Sequence, residues 1–301
     1  MNKWILGRCV ILLLLVQFVS TTARGEPEGG AEEIGPGWVV KADLYGIYNP
    51  MGVVITTELT YNVPYRYKYD IVWSHMELGY RVAGTVTHSV YGVHLEWMPA
   101  AFFKLRANYD LQWFHGTMAS LLELPSKDSP HDDDDVFDYG TEKMRIGHRV
   151  WLAPTLQLLF KGVAFVNQTD LKWYLIDSEQ PYFYNWEYAT VTERKDFLIS
   201  SMSLLMYNFL KNRSPRSLFV GGSYEMVSQP STSFRRQTLG GVLLTEPFVR
   251  SSRIGTLHFL VLAGVYLEET YRNDELFVVF NFGTTFDSRT MTKNERFTVN
   301  R

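Results

Sequence analysis

The chain has one cysteine in 301 residues, Cys9, and it lies ahead of the first apolar run. A disulfide framework is thereby excluded. Long hydrophobic runs are equally scarce. Beyond residue 25 the longest apolar stretches, such as 197–210, are broken by Ser200, Ser201, Ser203 and Asn208, so none reaches the roughly 20 residues that a spanning helix needs. Excess positive charge is missing as well. Lys and Arg number 29 against 32 Asp and Glu, and loss of Lys3, Arg8 and Arg24 with a leader takes the formal charge from −3 to −6. That balance argues against nucleic acid as a partner. None of the seven histidines begins a His-x-Ser triplet, and no Gly pair is followed by the Lys-Ser/Thr of a phosphate loop. No metal-ligand spacing stands out either. The expectation is therefore no catalytic residue, no metal, no cofactor and no enzyme.

What is present begins with an address. Lys3 and Arg8 precede the apolar run Val10 to Val19, and Ala23-Arg24-Gly25 offers small residues at a cleavage spacing. This pattern predicts a secretory signal peptide over residues 1–25. An acidic, Gly-rich segment, 26–37, reads as a flexible periplasmic lead. From Trp38 onward the chain alternates. Trp38, Val40, Ala42 and Leu44 share one parity while Lys41 and Asp43 take the other; Val53, Ile55, Leu59 and Val63 oppose Glu58 and Asn62. Such period-2 patterning is that of strands with two unlike faces. In Phe102 to Phe114 the odd positions, Phe103, Leu105, Ala107, Tyr109, Leu111 and Trp113, are all apolar or aromatic, whereas Lys104, Arg106, Asn108, Asp110 and Gln112 lie between them.

Turn signals at Ala83-Gly84, Met98-Pro99-Ala100 and Leu152-Ala153-Pro154, with later breaks, divide the chain into about twelve strands. Among them are 140–153, 156–175 and 191–210. Gly221-Gly222 and Gly240-Gly241 fall inside strand runs and mark bends or close packing. A soluble two-layer β protein would hide the apolar parity inside and coat a very large exterior with charge. A membrane barrel inverts this, with the apolar parity toward lipid and the charged parity toward the lumen. Aromatics at 15% of the chain suit membrane interfaces, where Trp97 and Trp113 are expected. The fold class predicted is all-β, a transmembrane antiparallel up-and-down barrel over 38–286.

On these residues the chain from about Trp38 to Phe286 resembles a bacterial outer-membrane β-barrel protein of porin-like architecture. Its closing stretch, Leu276 to Phe286, resembles the aromatic-rich last strand that the barrel-assembly machinery reads. The family's aromatic usually ends the chain, whereas Asp287 to Arg301 follow here, an expected periplasmic tail. The resemblance implies a bacterial outer-membrane location, with outer-membrane lipid and the assembly machinery as partners. It carries no function-specific motif.

Inward parity collects His75, Glu77, Arg81, His88, His94, Glu96, Lys104, Arg106 and Asp110, with Glu96 expected beside Lys104 and His94 beside Arg106. Two readings of this set stand together: a lumenal patch that selects small polar or ionic solutes, or ion pairs that fill a narrow barrel. His148 falls on the outward parity, which places an imidazole among lipid-facing residues or implies a bulge. The long break 116–139 holds His131, Asp132, Asp133, Asp134 and Asp135 and is expected outside the cell, since long barrel loops are extracellular. The function expected is a passive channel for small polar or ionic solutes. The alternatives are a structural or interaction barrel with a plugged lumen, and an outer-membrane lipid-modifying enzyme.

Overall fold

The computed structural model describes residues 36–48, 52–65, 74–85, 87–116, 121–128, 143–185, 187–188, 190–210, 217–246, 256–269 and 274–288. The expected signal peptide, most of the expected lead, the acidic run from His131 to Asp135 and the residues beyond Ser288 lie outside the described residues. In chain order the strands are β1 (Gly37–Tyr48), β2 (Gly52–Tyr65), β3 (Ser74–Gly84), β4 (His88–Ala100), β5 (Phe103–Phe114), β6 (Glu123–Leu124), β7 (Arg145–Phe160), β8 (Val163–Ile176), β9 (Tyr182–Asn185), β10 (Thr190–Glu193), β11 (Lys195–Asn208), β12 (Ser217–Gln229), β13 (Phe234–Glu246), β14 (Thr256–Glu268) and β15 (Leu276–Asp287).

All but β6, β9 and β10 close into one antiparallel barrel of twelve strands, each beside its neighbour in sequence. The aromatic-rich stretch that ends the alternation is β15, and it seals the barrel against β1 with Val40 opposite Phe286 and Leu44 opposite Phe282. Closure leaves no strand edge unpaired, which is what a sheet in lipid requires. The outer face is apolar: Leu44, Ile55, Leu59, Leu78, Val93, Leu95, Val150 and Leu239 are all exposed. Glu58, Arg81, Glu96, Arg106, Asp110 and Arg149 are buried inside. A soluble barrel has the opposite arrangement.

Two sequence expectations need correction. Leu152-Ala153-Pro154 is not a turn; it lies within β7, where Pro154 pairs with Leu105 of β5. The ladder to β8 passes from Leu152 opposite Leu171 to Thr155 opposite Gln168, with no partner at Ala153 or Pro154, so the missing proline N–H breaks little. The reversal comes instead at Lys161-Gly162, whose φ values of 49° and 88° suit a two-residue hairpin. The stretch read as one strand from 191 to 210 is two elements, β10 and β11.

With an even strand count both barrel ends of the chain lie at one rim, and the two long connections, 115–144 and 177–194, lie at the other. These connections meet. β6 from the first pairs with β9 from the second, and β9 pairs with β10, giving a small three-stranded sheet over that rim. Leu122, Leu124, Tyr184 and Val191 form its own apolar cluster, while Leu121 and Phe183 pack against Phe114 of β5 and Ile176 of β8 and seat it on the barrel. Gln229, at the end of β12, donates to the Val191 carbonyl and ties the sheet to a third connection. The assembly is a lid.

Candidate functional site: the charged lumen and its lid

The inward set arises from the alternation of β2, β3, β4, β5, β7 and β8, but the partners follow from register. A shift between Trp97 and Ala100 places the reversal at Ala101-Phe102, so Glu96 stands opposite Arg106 and His94 opposite Asn108. This is two residues from the expected pairing, a step that keeps every side chain on its own face. Glu96 still reaches Lys104, at 2.8 Å.

Nearer the rim that carries the barrel's two ends, Lys41, Lys104 and Arg106 face Glu58, Glu77 and Glu96. Arg106 donates to Glu58 at 2.8 Å and to Asn108 at 3.0 Å, and Lys41 lies 3.5 Å from Glu58. Asn62 donates to Glu77. His94 is buried with its Nε2 3.6 Å from Glu58, and Gly79 leaves the space its ring fills. His75, Glu77 and Glu96 bring three potential ligand atoms within 4.8 Å of one another. Three cations already balance three carboxylates there, so a divalent ion would add uncompensated charge to a buried site.

Toward the lid a second cluster centres on Asp110 and Trp151, each 1% exposed. Asp110 accepts from Arg81 at 2.9 Å, from Arg149 at 2.7 Å and from the Trp151 indole at 2.9 Å. Arg81, Arg106 and Lys172 stand 5.6 to 5.9 Å from the Trp151 ring, so one indole faces three cations drawn from both clusters. Arg149 and Lys172 both donate to Glu187, which belongs to neither strand but to the lid connection. Burial alone would raise the Glu187 carboxyl, yet the two cations outweigh it and hold it below the usual carboxylate range. The next residue, Tyr188, lies against Lys172 and Arg236 and shares a 3.2 Å hydrogen bond with Ser200. On the outer surface of the lid, Lys143 hydrogen-bonds Glu179 and Arg145 pairs with it at 2.8 Å, and the two bring its carboxyl down to about 2.

Elsewhere in the interior His258 Nε2 lies 2.8 Å from Asp43, which also accepts from Asn281, and Arg236 pairs with Glu225 at 3.1 Å; much of the rest is apolar. Val166 of β8 and Met202, Leu204 and Met206 of β11 point inward and join Phe219, Leu244 and Leu260 in one buried cluster. Among the described residues two small cavities lie at the lid end, sharing His88, Val90 and Arg149, each with room for about one water.

The structure brings Arg81, His94, Glu96, Lys104, Arg106 and Asp110 into these clusters, places His75 and Glu77 beside them, and sets His88 at the cavities with its Nδ1 within 3.1 Å of the Thr85 and Thr87 hydroxyls. Trp97 and Trp113 are exposed on the outer face. His148 is outward without a bulge, and Tyr109 satisfies its Nδ1 at 2.7 Å. Sequence reasoning missed Glu58, Arg149, Trp151, Lys172 and Glu187. The first four lie on inward parity and were visible there; Glu187 carries no periodic signal. It also missed a contact at the lid rim, where Ser89 Oγ and His115 Nε2 are 2.9 Å apart.

No protein-family model matches the sequence, and no curated protein matches it. Among solved structures the chain is similar to the KdgM porin in complex with disordered oligogalacturonate, at 9% identity over 82% of this chain and 98% of that one, TM-score 0.39. It is similar to the COG4313 outer membrane channel from Pseudomonas putida F1, at 12% identity over 87% and 100%, TM-score 0.41. LpxR from Salmonella typhimurium aligns at 8% identity over 82% and 100%, TM-score 0.38. Likeness of this degree assigns no activity. The closed, inside-out twelve-stranded geometry itself is that of an outer-membrane β-barrel.

Proposed function

We propose that this chain is a bacterial outer-membrane barrel shut to passive diffusion, a structural or interaction barrel that presents its lidded end to a partner outside the cell. The observation that carries this reading is the pairing of the lumenal charges. The cations of both clusters each lie on a carboxylate, and the side chains that bridge the lumen are nearly inaccessible to water. An open channel for small polar solutes needs a continuous hydrated path past its wall, and side chains this buried across the lumen leave little room for one. The leader, the apolar outer face and the aromatic closing strand support the membrane address. Conductance of the refolded, heat-modifiable protein in a planar bilayer tests the reading: silence supports it, and discrete steps overturn it in favour of a passive channel.

One contact favours a second reading, a lipid-modifying enzyme. Ser89 and His115 meet on the outer side of the lid rim, beside exposed Trp113. A histidine at that distance can act as general base for a serine attacking an acyl ester. Labelling by a fluorophosphonate that is lost in Ser89→Ala would establish it; absence of label in folded protein removes it.

A further inference from the structure

We propose that the seat formed by Arg149 and Lys172 is a binding site for a small organic carboxylate, and that Glu187 is its built-in occupant. Both cations belong to the barrel wall, whereas the acid they hold arrives on the lid connection. Without Glu187 the wall would keep Arg81, Arg149 and Lys172 against Asp110 and Asp170, an excess of one positive charge in a closed space.

The adjoining cavities supply a second, independent observation. Among the described residues that line them, Arg81 at one cavity and Asn185 at the other each keep a buried nitrogen, Nε and Nδ2, without a hydrogen-bond partner. Both are donors only, and both residues are at least nine-tenths buried. A buried donor left unpaired is costly, and each of these would be satisfied by an acceptor oxygen. The class follows from the company the cations keep. Arg149 donates through two nitrogens to the Asp110 carboxylate and through the third to that of Glu187, so the guanidinium fork is already set for carboxylate geometry. Each cavity is too small for more than about one water, so an external carboxylate enters only as the Glu187 side chain withdraws. Glu187 is then a tethered competitor, and the apparent affinity of the site is lowered by the fraction of molecules in which it is seated.

The test is calorimetric titration of the refolded full-length protein in detergent with sodium acetate, against sodium chloride at matched ionic strength. Saturable acetate binding is expected in the wild type. It should be about tenfold tighter in Glu187→Ala, where the tethered competitor is gone, and should disappear when Lys172→Gln is added. Glu187→Gln, which keeps the volume of the side chain, serves if the alanine variant is not heat-modifiable, and an intermediate affinity is expected. Acetate binding confined to Glu187→Ala would make Glu187 a permanent structural plug and overturn the proposal. So would no binding in any variant, or equal response to chloride. The inference takes the lid from the closed-lumen reading, but the two fail separately. Conductance by the wild type refutes the closed lumen and leaves this titration standing, whereas silent bilayers without acetate binding refute only the carboxylate site.

Discussion

Replacing Arg106 by Met tests the closed lumen through stability. The guanidinium sits 2% exposed between Glu58 and Asn108, and its removal leaves the Glu58 carboxylate, 3% exposed, with Lys41 at 3.5 Å and His94 at 3.6 Å. Losing one member of a buried ion pair costs about 3–5 kcal/mol, because the survivor keeps its desolvation and loses its counter-charge. Glu58→Leu alone should cost a similar amount for the same reason. The double variant removes both charges, and apolar replacement of a whole buried pair is close to neutral. Lys41 then loses one partner but lies within the field of Glu77 and Glu96, so a residual of roughly 1–2 kcal/mol is expected. The singles should therefore sum to several kcal/mol more than the double. Reversible urea unfolding in lipid vesicles reads these values, with the fluorescence of Trp151, 5.9 Å from the Arg106 guanidinium, among the reporters. Single losses below about 1 kcal/mol, or additivity within about 0.5 kcal/mol, would mean that water solvates Glu58. The lumen would then be wet and the closed barrel untenable.

Three further outcomes follow from the backbone and the lid. A Cβ on Gly221 would lie 1.9 Å from the Leu205 carbonyl, which cannot yield without parting β11 from β12, whereas the nearest atom to a Cβ on Gly222 is 3.7 Å away. Gly221→Ala should lose at least ~2 kcal/mol and much of its heat-modifiable fraction while Gly222→Ala folds normally; equal behaviour would disprove the close approach. Gly162→Ala, at φ 88°, should cost about 1 kcal/mol in the same unfolding assay, and no loss would mean that the hairpin relaxes. Glu179 and Glu187 both have lowered pKa values, so their contribution to the lid is complete above the ordinary carboxylate value of roughly 4.3 and fades as pH falls through the lowered ones, about 2 for Glu179. Hydrogen exchange in the lid, corrected for intrinsic rates, should therefore keep its protection down to about pH 5 and lose it only in stronger acid; loss near pH 6 would contradict the assignment.

The barrel was legible because its signal is local. Alternation in 102–114 puts Lys104, Arg106 and Asp110 on one face whatever the partner strand does, and twelve such runs with reversals between them predict closure. Errors arose where a local cue has two meanings. Pro154 reads as a breaker, yet a proline whose absent N–H falls at a gap in the ladder is compatible with a long strand. Met98-Pro99 reads as a reversal, yet the shift between Trp97 and Ala100 moved it two residues. Parity survived both errors because a two-residue shift preserves faces.

Whether the lumen is open is not a property of parity, and this is why the same residues supported a pore and a plug. Glu58 of β2 meets Arg106 of β5 across two intervening strands, a pairing that depends on tilt and register around the whole barrel. The balance is finished by a residue with no periodic context: Glu187 reaches Arg149 and Lys172 because β6, β9 and β10 build a small sheet that holds the connection over the rim. A wall that neutralised itself would need no such acid, and a wall meant to stay charged would not hold one so close. The barrel does neither. It leaves a cationic seat and fills it from the lid, so the charge balance of the lid-end cluster is completed by a residue that the alternation of the wall does not specify.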